Sequence, residues 1–386
     1  MLLYIIAFLV VLSVLVFAHE LGHFWTARKF GAKVEEFGFG LPPRIFGIRK
    51  IDGKWQYVRG QAEIEETSPI VYSLNWIPVG GFVKIKGENG SDEQDQDSFA
   101  AKPIWQRAIM LAAGVVMNVI LCIVLLSIGF GLGLPAVLDE EIDNGGKIIS
   151  NQTLQVLEVL PDLPAQDKGL QIGDTILEVD GQPFVAIGAV KEYFQNKAGQ
   201  EVTLKLRRHG EEIEETLTVV EYQEVVGIGV ALVETAIVKY PWYSAIWQGI
   251  KTTYLLTITI TVALYNIIKN LIIGAPVGVE VAGPVGIAVL TGQMTKMGFI
   301  YLLQFTALLS LNLAIINILP FPALDGGRLL FLAIEKIRGK AIKPQWENLA
   351  NNVGFILLML LVLFFTIKDV SKYGQGIWGA ISGLFG

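Results

Sequence analysis

The sequence predicts a polytopic α-helical membrane protein of about four transmembrane helices, carrying one soluble α+β insert on its extracytoplasmic side. Three observations lead there: a composition rich in apolar residues, several apolar runs of membrane-crossing length, and one β-patterned stretch unlike its surroundings. Of 386 residues, 52% are hydrophobic and 17% charged, against roughly a quarter charged in ordinary soluble domains. The net charge of −6 is mild. No basic stripe with interleaved aromatics is present, which argues against a nucleic-acid partner. Cys122 is the single cysteine, so neither an intrachain disulfide nor a cysteine-built metal site is available.

About 20 apolar residues cross the hydrocarbon layer. The runs 2–24, 104–134 and 299–319 meet or approach that length, and 353–367 is a shorter fourth. The first run has no basic opening region and no small-residue cleavage site after it, so it is expected to stay as a span. Residues 246–273 form a further apolar stretch with Thr257, Thr259 and Thr261 at every second position and polar ends. Such a pattern suits an amphipathic helix lying on the membrane, with a span as the alternative. Lys and Arg placement orients the chain. Arg28, Lys29, Lys33, Lys102 and Arg107 gather between the first two spans, and Arg328, Lys336, Arg338, Lys340 and Lys343 between the last two. Four spans then put both termini outside and residues 136–240 in the extracytoplasmic space.

Within that region, residues 153–222 alternate short β-rich runs with turn signals: 153–159, 175–179, 201–207 and 214–220, with a helical stretch at 185–196. Residues 44–86 also read as β-rich, with Ile51-Asp52-Gly53-Lys54 a hairpin turn. Residues 76–84 are too apolar for a plain cytoplasmic loop, and 87–98 is an acidic, Gly/Ser/Gln-rich link. Four parts result: 1–135, 136–240, a membrane-associated segment 241–298, and 299–386.

The chemistry concentrates at the end of the first run. His19-Glu20-Leu21-Gly22-His23 is an H-E-x-x-H sequence. Residues four apart share a helix face, so both imidazoles can reach one zinc ion, with Glu20 beside them as general base. Ionisable groups in a membrane segment cost a few kcal/mol each on insertion scales and usually mark function. A catalytic zinc commonly takes a third protein ligand. His209, the remaining histidine, lies in a polar turn of the insert and reads as a solvated turn residue. Asp325 is the better candidate. It follows Asn317-Ile318-Leu319-Pro320-Phe321-Pro322, where the prolines end the third span, and Gly326 and Gly327 permit a tight turn after it.

These two motifs resemble those of the site-2 protease family of intramembrane zinc metalloproteases, and most closely its bacterial sigma-E protease type. The resemblance implies one Zn2+ held by His19, His23 and Asp325, with Glu20 as the base. It extends over nearly the whole chain. Phe37-Gly38-Phe39-Gly40 is similar to a family segment, with Leu41 where proline is usual. The stretch 72–87 resembles a membrane-re-entrant β-hairpin on the cytoplasmic side, which in the family holds substrate as an added strand; that implies substrate contacts at Gly80, Gly81, Phe82 and Val83. Ala113-Gly114-Val115-Val116-Met117-Asn118 is similar to another segment, with Val115 replacing proline, and Ala282-Gly283-Pro284-Val285-Gly286-Ile287 matches a third. Asn118 and Asn317 are candidates for hydrogen bonds to an unwound substrate backbone.

Residues 153–222 resemble a single PDZ domain, through Ala165, Gly169-Leu170, Gly173-Asp174, Ile176 and Val179-Asp180-Gly181-Gln182-Pro183. Gly227-Ile228-Gly229-Val230 is a candidate carboxylate-binding loop. In the family such domains restrict access to substrates already trimmed outside the membrane; a rigid spacer is the alternative. The resemblance further implies regulated intramembrane proteolysis in a bacterial inner (plasma) membrane. Its substrates would be single-span membrane proteins such as anti-sigma factors or remnant signal peptides, met within the lipid bilayer. Two other readings remain. A membrane-anchored zincin would use a distal glutamate as third ligand, and a metal-binding transporter would have no need of Glu20.

Overall fold

A computed structural model describes residues 2–60, 69–88, 94–138, 145–150, 152–160, 163–171, 173–208, 210–222, 225–274 and 282–385. The elements run α1 (Leu2–Lys29), β1 (Val34–Ile51), β2 (Lys54–Arg59), β3 (Val71–Ile85), α2 (Ile104–Leu132), β4 (Leu134–Val137), β5 (Lys147–Ile148), β6 (Thr153–Val159), α3 (Pro164–Asp167), β7 (Thr175–Val179) and β8 (Gln182–Pro183). They continue with α4 (Ile187–Gln195), β9 (Glu201–Arg208), β10 (Glu211–Thr218), β11 (Val220–Tyr222), β12 (Val225–Gly227), β13 (Val230–Lys239), α5 (Trp242–Ile273), α6 (Pro284–Met297), α7 (Phe299–Asn317), α8 (Asp325–Arg338) and α9 (Pro344–Phe385). The chain divides into two compact units, one of Met1–Leu125, Lys251–Thr295 and Phe305–Gly386, the other of Leu126–Ile250 and Lys296–Gln304.

Among the described residues, five helices are long and apolar enough to cross a membrane: α1, α2, α5, α7 and the first part of α9. One more helix than the four expected therefore meets that criterion: α5, which contains 246–273. The threonines of α5 form no polar face. Thr257, Thr259 and Thr261 each turn their hydroxyl back to the carbonyl four residues earlier, at 2.7, 3.0 and 2.7 Å. A hydroxyl satisfied within its own helix needs no water, so these residues are compatible with the apolar layer.

In the first unit, the turn at Asp52 and Gly53 has positive φ at both residues (47° and 79°), as a two-residue hairpin turn requires. It joins β1 to β2, pairing Ile51 with Lys54. The stretch 72–87 is not a hairpin paired with itself. β3 bends, and β1 lies between its two arms: Phe37 is opposite both Tyr72 and Val83, and Phe39 both Leu74 and Gly81. Asn75 stabilises this arrangement from within, its buried amide donating to the carbonyls of Phe39 and Gly40 at 3.3 and 3.1 Å. Each arm of β3 therefore finds its ladder partner in β1 rather than in the other arm.

Phe24, Ala27, Val34, Ile85, Met110, Leu111 and Leu332 form a buried cluster that joins α1, β1, β3, α2 and α8. A part-buried ion pair, Arg107 Nη2 to Glu335 Oε1 at 2.5 Å, ties the start of α2 to α8. Arg328 on α8 likewise pairs with Glu88, just past β3. The segment 282–287 opens α6, where the buried Asp369 of α9 accepts a hydrogen bond from the Gly286 amide at 2.6 Å.

In the second unit, the sheet runs in the order β10-β9-β7-β6-β13-β4, with α3 and α4 in its connections. Its core is Leu154, Ala165, Ile176, Val190, Phe194, Leu204, Leu206 and Val219, among others. β13 pairs with both β6 and β4, so Thr235 is opposite Thr153 and Val137. The sheet thus continues past residue 222 and brings the two ends of the insert together. Asp174, 1% exposed, receives Arg208 through Nε at 2.8 Å and Nη2 at 2.6 Å.

Candidate metal centre

α1 carries His19 and His23 one turn apart, both buried. α2 crosses close to them. Gly22 lets it do so, since a Cβ there would run into the Ala113 carbonyl, and Gly114 lies directly against the two imidazole rings. Asp325 arrives at the first position of α8, where a helix N-terminus favours a carboxylate. Pro320 and Pro322 follow the end of α7, as expected. Gly326 and Gly327, however, do not form a turn. They belong to the first turn of α8, and the Cβ of a larger residue at either would strike the backbone of 318–319 or 321–322. Those glycines are what let the aspartate approach the histidines.

Three ligand atoms converge. His19 Nε2 is 3.1 Å from Asp325 Oδ2, His23 Nε2 is 3.5 Å from the same oxygen, and the two imidazole nitrogens are 3.2 Å apart. A tetrahedral zinc with bonds of about 2.0–2.1 Å has ligand–ligand edges of about 3.3 Å. The observed triangle matches that edge length, and these three residues could hold a metal ion. Burial raises the Asp325 carboxyl's pKa, but the facing imidazoles outweigh it, so the group sits below its ordinary value and is an anion at neutral pH. His23 Nδ1 is 2.8 Å from the Met110 carbonyl, which fixes the proton on Nδ1 and leaves Nε2 free to ligate.

Glu20 follows His19 on α1. Its Oε2 accepts the Val83 amide at 3.1 Å, so the second arm of β3 passes directly beside it. Gly80 and Gly81 lie buried at the head of that arm, Gly80 against Val16 of α1, and Phe82 and Val83 are half-buried. Asn118 is fully buried, its Nδ2 3.2 Å from His19 Nδ1. Asn317 ends α7 and is partly exposed. His209 lies outside the described residues. In the second unit, Gly227-Ile228-Gly229-Val230 lines a cavity of about 320 Å³ together with Ile187, Val190 and Phe194 of α4.

Sequence reasoning missed the role of Gly114 and of the Met110 carbonyl. Gly114 was marked in the sequence only by its place in the family-like segment 113–118, and a backbone carbonyl carries no such mark.

The profile of Peptidase family M50 matches residues 7–59 and 62–361. A Clostridium perfringens protein bearing the name of a zinc metalloprotease is 34% identical over 373 residues, covering 95% of this chain and 98% of that one. The zinc metalloprotease RasP of Geobacillus kaustophilus is 29% identical over 449 residues, covering 96% and 98%. Among solved structures, the PDZ domain of an SdrC-like protein from Listeria monocytogenes matches 22% of this chain and 92% of its own, at 26% identity and a TM-score of 0.21.

Proposed function

The chain belongs to Peptidase family M50, and from that premise we propose that it cuts peptide bonds within or near the membrane-spanning segments of other membrane proteins, using Glu20 as general base and His19, His23 and Asp325 as metal ligands. It is a multi-pass membrane zinc metalloprotease of the site-2 protease type. The observation that carries the residue assignment is the triangle of His19, His23 and Asp325 ligand atoms, whose edges fit a tetrahedral zinc. Bound there, Zn2+ supplies Lewis acidity and lowers the pKa of water from 15.7 to about 7.

The chain's own residues do the rest. Glu20 takes a proton from the attacking water and passes it to the leaving amide nitrogen, so the acid and base steps use one carboxylate. A peptide bond in a substrate helix is shielded by its own hydrogen bonds and must be unwound first. Bare backbone groups in lipid cost several kcal/mol each. The second arm of β3, with Gly80, Gly81, Phe82 and Val83, offers an edge to which the unwound substrate adds as a strand. Its place beside Glu20 supports that reading. Asn317, at the end of α7, is assigned a hydrogen bond to such a strand's backbone.

The insert is a PDZ-type gate. The strand order, the two helices and the Asp180-Gly181 turn, both at positive φ, support that assignment. The groove between α4 and the 227–230 loop would receive a peptide end, and so restrict access to substrates already trimmed outside. Single-span proteins such as anti-sigma factors and remnant signal peptides fit this description. The active site would face the cytoplasm, where Arg28, Lys29, Lys33, Lys102 and Arg107 gather, with the insert outside. Mass mapping of the products from a single-span substrate lacking its outer domain tests the proposal. Product ends inside the apolar segment are expected; ends only in soluble flanks would overturn it.

A further inference from the structure

We propose that Asn118 is a positioning residue: it fixes the protonation of the His19 ring so that Nε2 is presented to the metal, and it does not touch substrate. The inference rests on the ligand set proposed above. Asn118 is fully buried on α2, with its amide against the far nitrogen of His19, Nδ1, at 3.2 Å. The Ser310 hydroxyl donates to its backbone carbonyl at 2.8 Å, which fixes this part of α2 against α7. Its side-chain oxygen is buried with no hydrogen-bond partner among the described residues, an uncommon state that calls for a reason.

The reason lies in the tautomer of His19. A neutral imidazole holds one proton. If Asn118 Nδ2 donates to Nδ1, the proton must sit on Nε2, the atom turned to Asp325, and that atom cannot ligate. When Nε2 ligates, Nδ1 carries the proton and needs an acceptor. The amide supplies one by a half-turn, because its oxygen and nitrogen exchange places in the same space and their assignment follows the hydrogen-bond network. The orphan oxygen then becomes the acceptor of Nδ1–H. His23 already has this arrangement, through the Met110 carbonyl. Met110, Gly114 and Asn118 stand four residues apart on one face of α2. That face therefore supplies an acceptor, a gap for the rings, and a second acceptor. Metal-ligating histidines almost always donate their other N–H in this way, and losing such a partner typically costs 10–100-fold in metal affinity.

The test measures zinc affinity of the full detergent-solubilised protein against a competing chelator, for wild type, Asn118→Leu, Asn118→Ala, Asn118→Asp and His19→Ala. Leu and Ala remove the acceptor, two ways in case one variant misfolds, and Asp keeps it. Zinc affinity is expected to fall about 10–100-fold in Leu and Ala and to return to within a few-fold of wild type in Asp, a rescue that a purely packing role would not give. Wild-type affinity in Leu and Ala, with KM for substrate raised instead, would overturn the inference and make Asn118 a substrate contact. Equal weakening in Asp would overturn it too. His19→Ala separates the premise: if that variant binds zinc normally, the ligand set itself is wrong.

Discussion

Replacing Gly114 with alanine puts a methyl group inside the metal centre. A Cβ built there lies 2.6 and 2.7 Å from His19 Cε1 and Nε2, and nearer still to His23 Nε2. Carbon contacts are comfortable only from about 3.5 Å, so the overlap approaches 1 Å with atoms of both rings. α2 has little room to retreat, since Ser310 holds the carbonyl of Asn118 at 2.8 Å. Two effects then oppose each other. As a helix, α2 gains about 0.8–1 kcal/mol when glycine becomes alanine. The two imidazoles, however, must move by several times the roughly 0.2 Å that metal–ligand distances tolerate. The expected result is a protein that still folds, its heat stability changed by that helix gain set against an overpacking cost of about 1–3 kcal/mol, with zinc affinity lowered at least about 100-fold, near 2.7 kcal/mol. Elemental analysis after dialysis against a chelator series, with thermal unfolding alongside, reads both quantities. A folded Gly114→Ala protein that holds zinc within about threefold of wild type would refute the placement of the histidines.

Two further outcomes concern the insert. Arg208→Ala strips the partner from a carboxylate that is 1% exposed at Asp174; loss of about 3 kcal/mol is expected, read as reduced hydrogen-exchange protection confined to β6–β10. Asp180 accepts hydrogen bonds from the Thr203 amide and from Tyr193, both at 2.8 Å, and the Thr203 amide above all holds its pKa below the usual 3.8. Its contribution is therefore fully present above the unfolded value and disappears as pH falls through the lower folded one. Protection at Thr203 should drop over that acid range in wild type and not in Asp180→Asn, whose protection stays at one level throughout.

Much of the site was legible because it is local. The spacing of His19 and His23 is a helix turn, and α1 is continuous through it, so their shared face could be read directly. Asp325 was legible from its place after two helix-ending prolines. What escaped was set by contacts distant in the chain. A backbone carbonyl such as that of Met110 leaves no mark in the sequence, and Gly114 acquires meaning only once α2 crosses α1. The same holds for the sheet of the first unit. The stretch 72–87 has hairpin character, yet β1 lies between its arms because both can pair with residues 36–39. In the insert, β6, β7 and β9 and the helix α4 followed their local patterns, whereas the role of β13 depends on partners about 80 and 100 residues earlier. The threonines of α5 likewise show a bonding that spacing alone does not reveal, since their hydroxyls turn to carbonyls one turn back.

The central claim is that Glu20 moves the proton while His19, His23 and Asp325 hold the metal. Glu20→Gln keeps the shape of the side chain and removes the base, and Glu20 is not one of the three converging ligands. The most direct measurement compares wild type and Glu20→Gln for bound zinc and for cleavage of one single-span substrate in the same preparations. One zinc per chain in both proteins, with cleavage in wild type alone, is the predicted result. Cleavage by Glu20→Gln at a rate near that of wild type would contradict it.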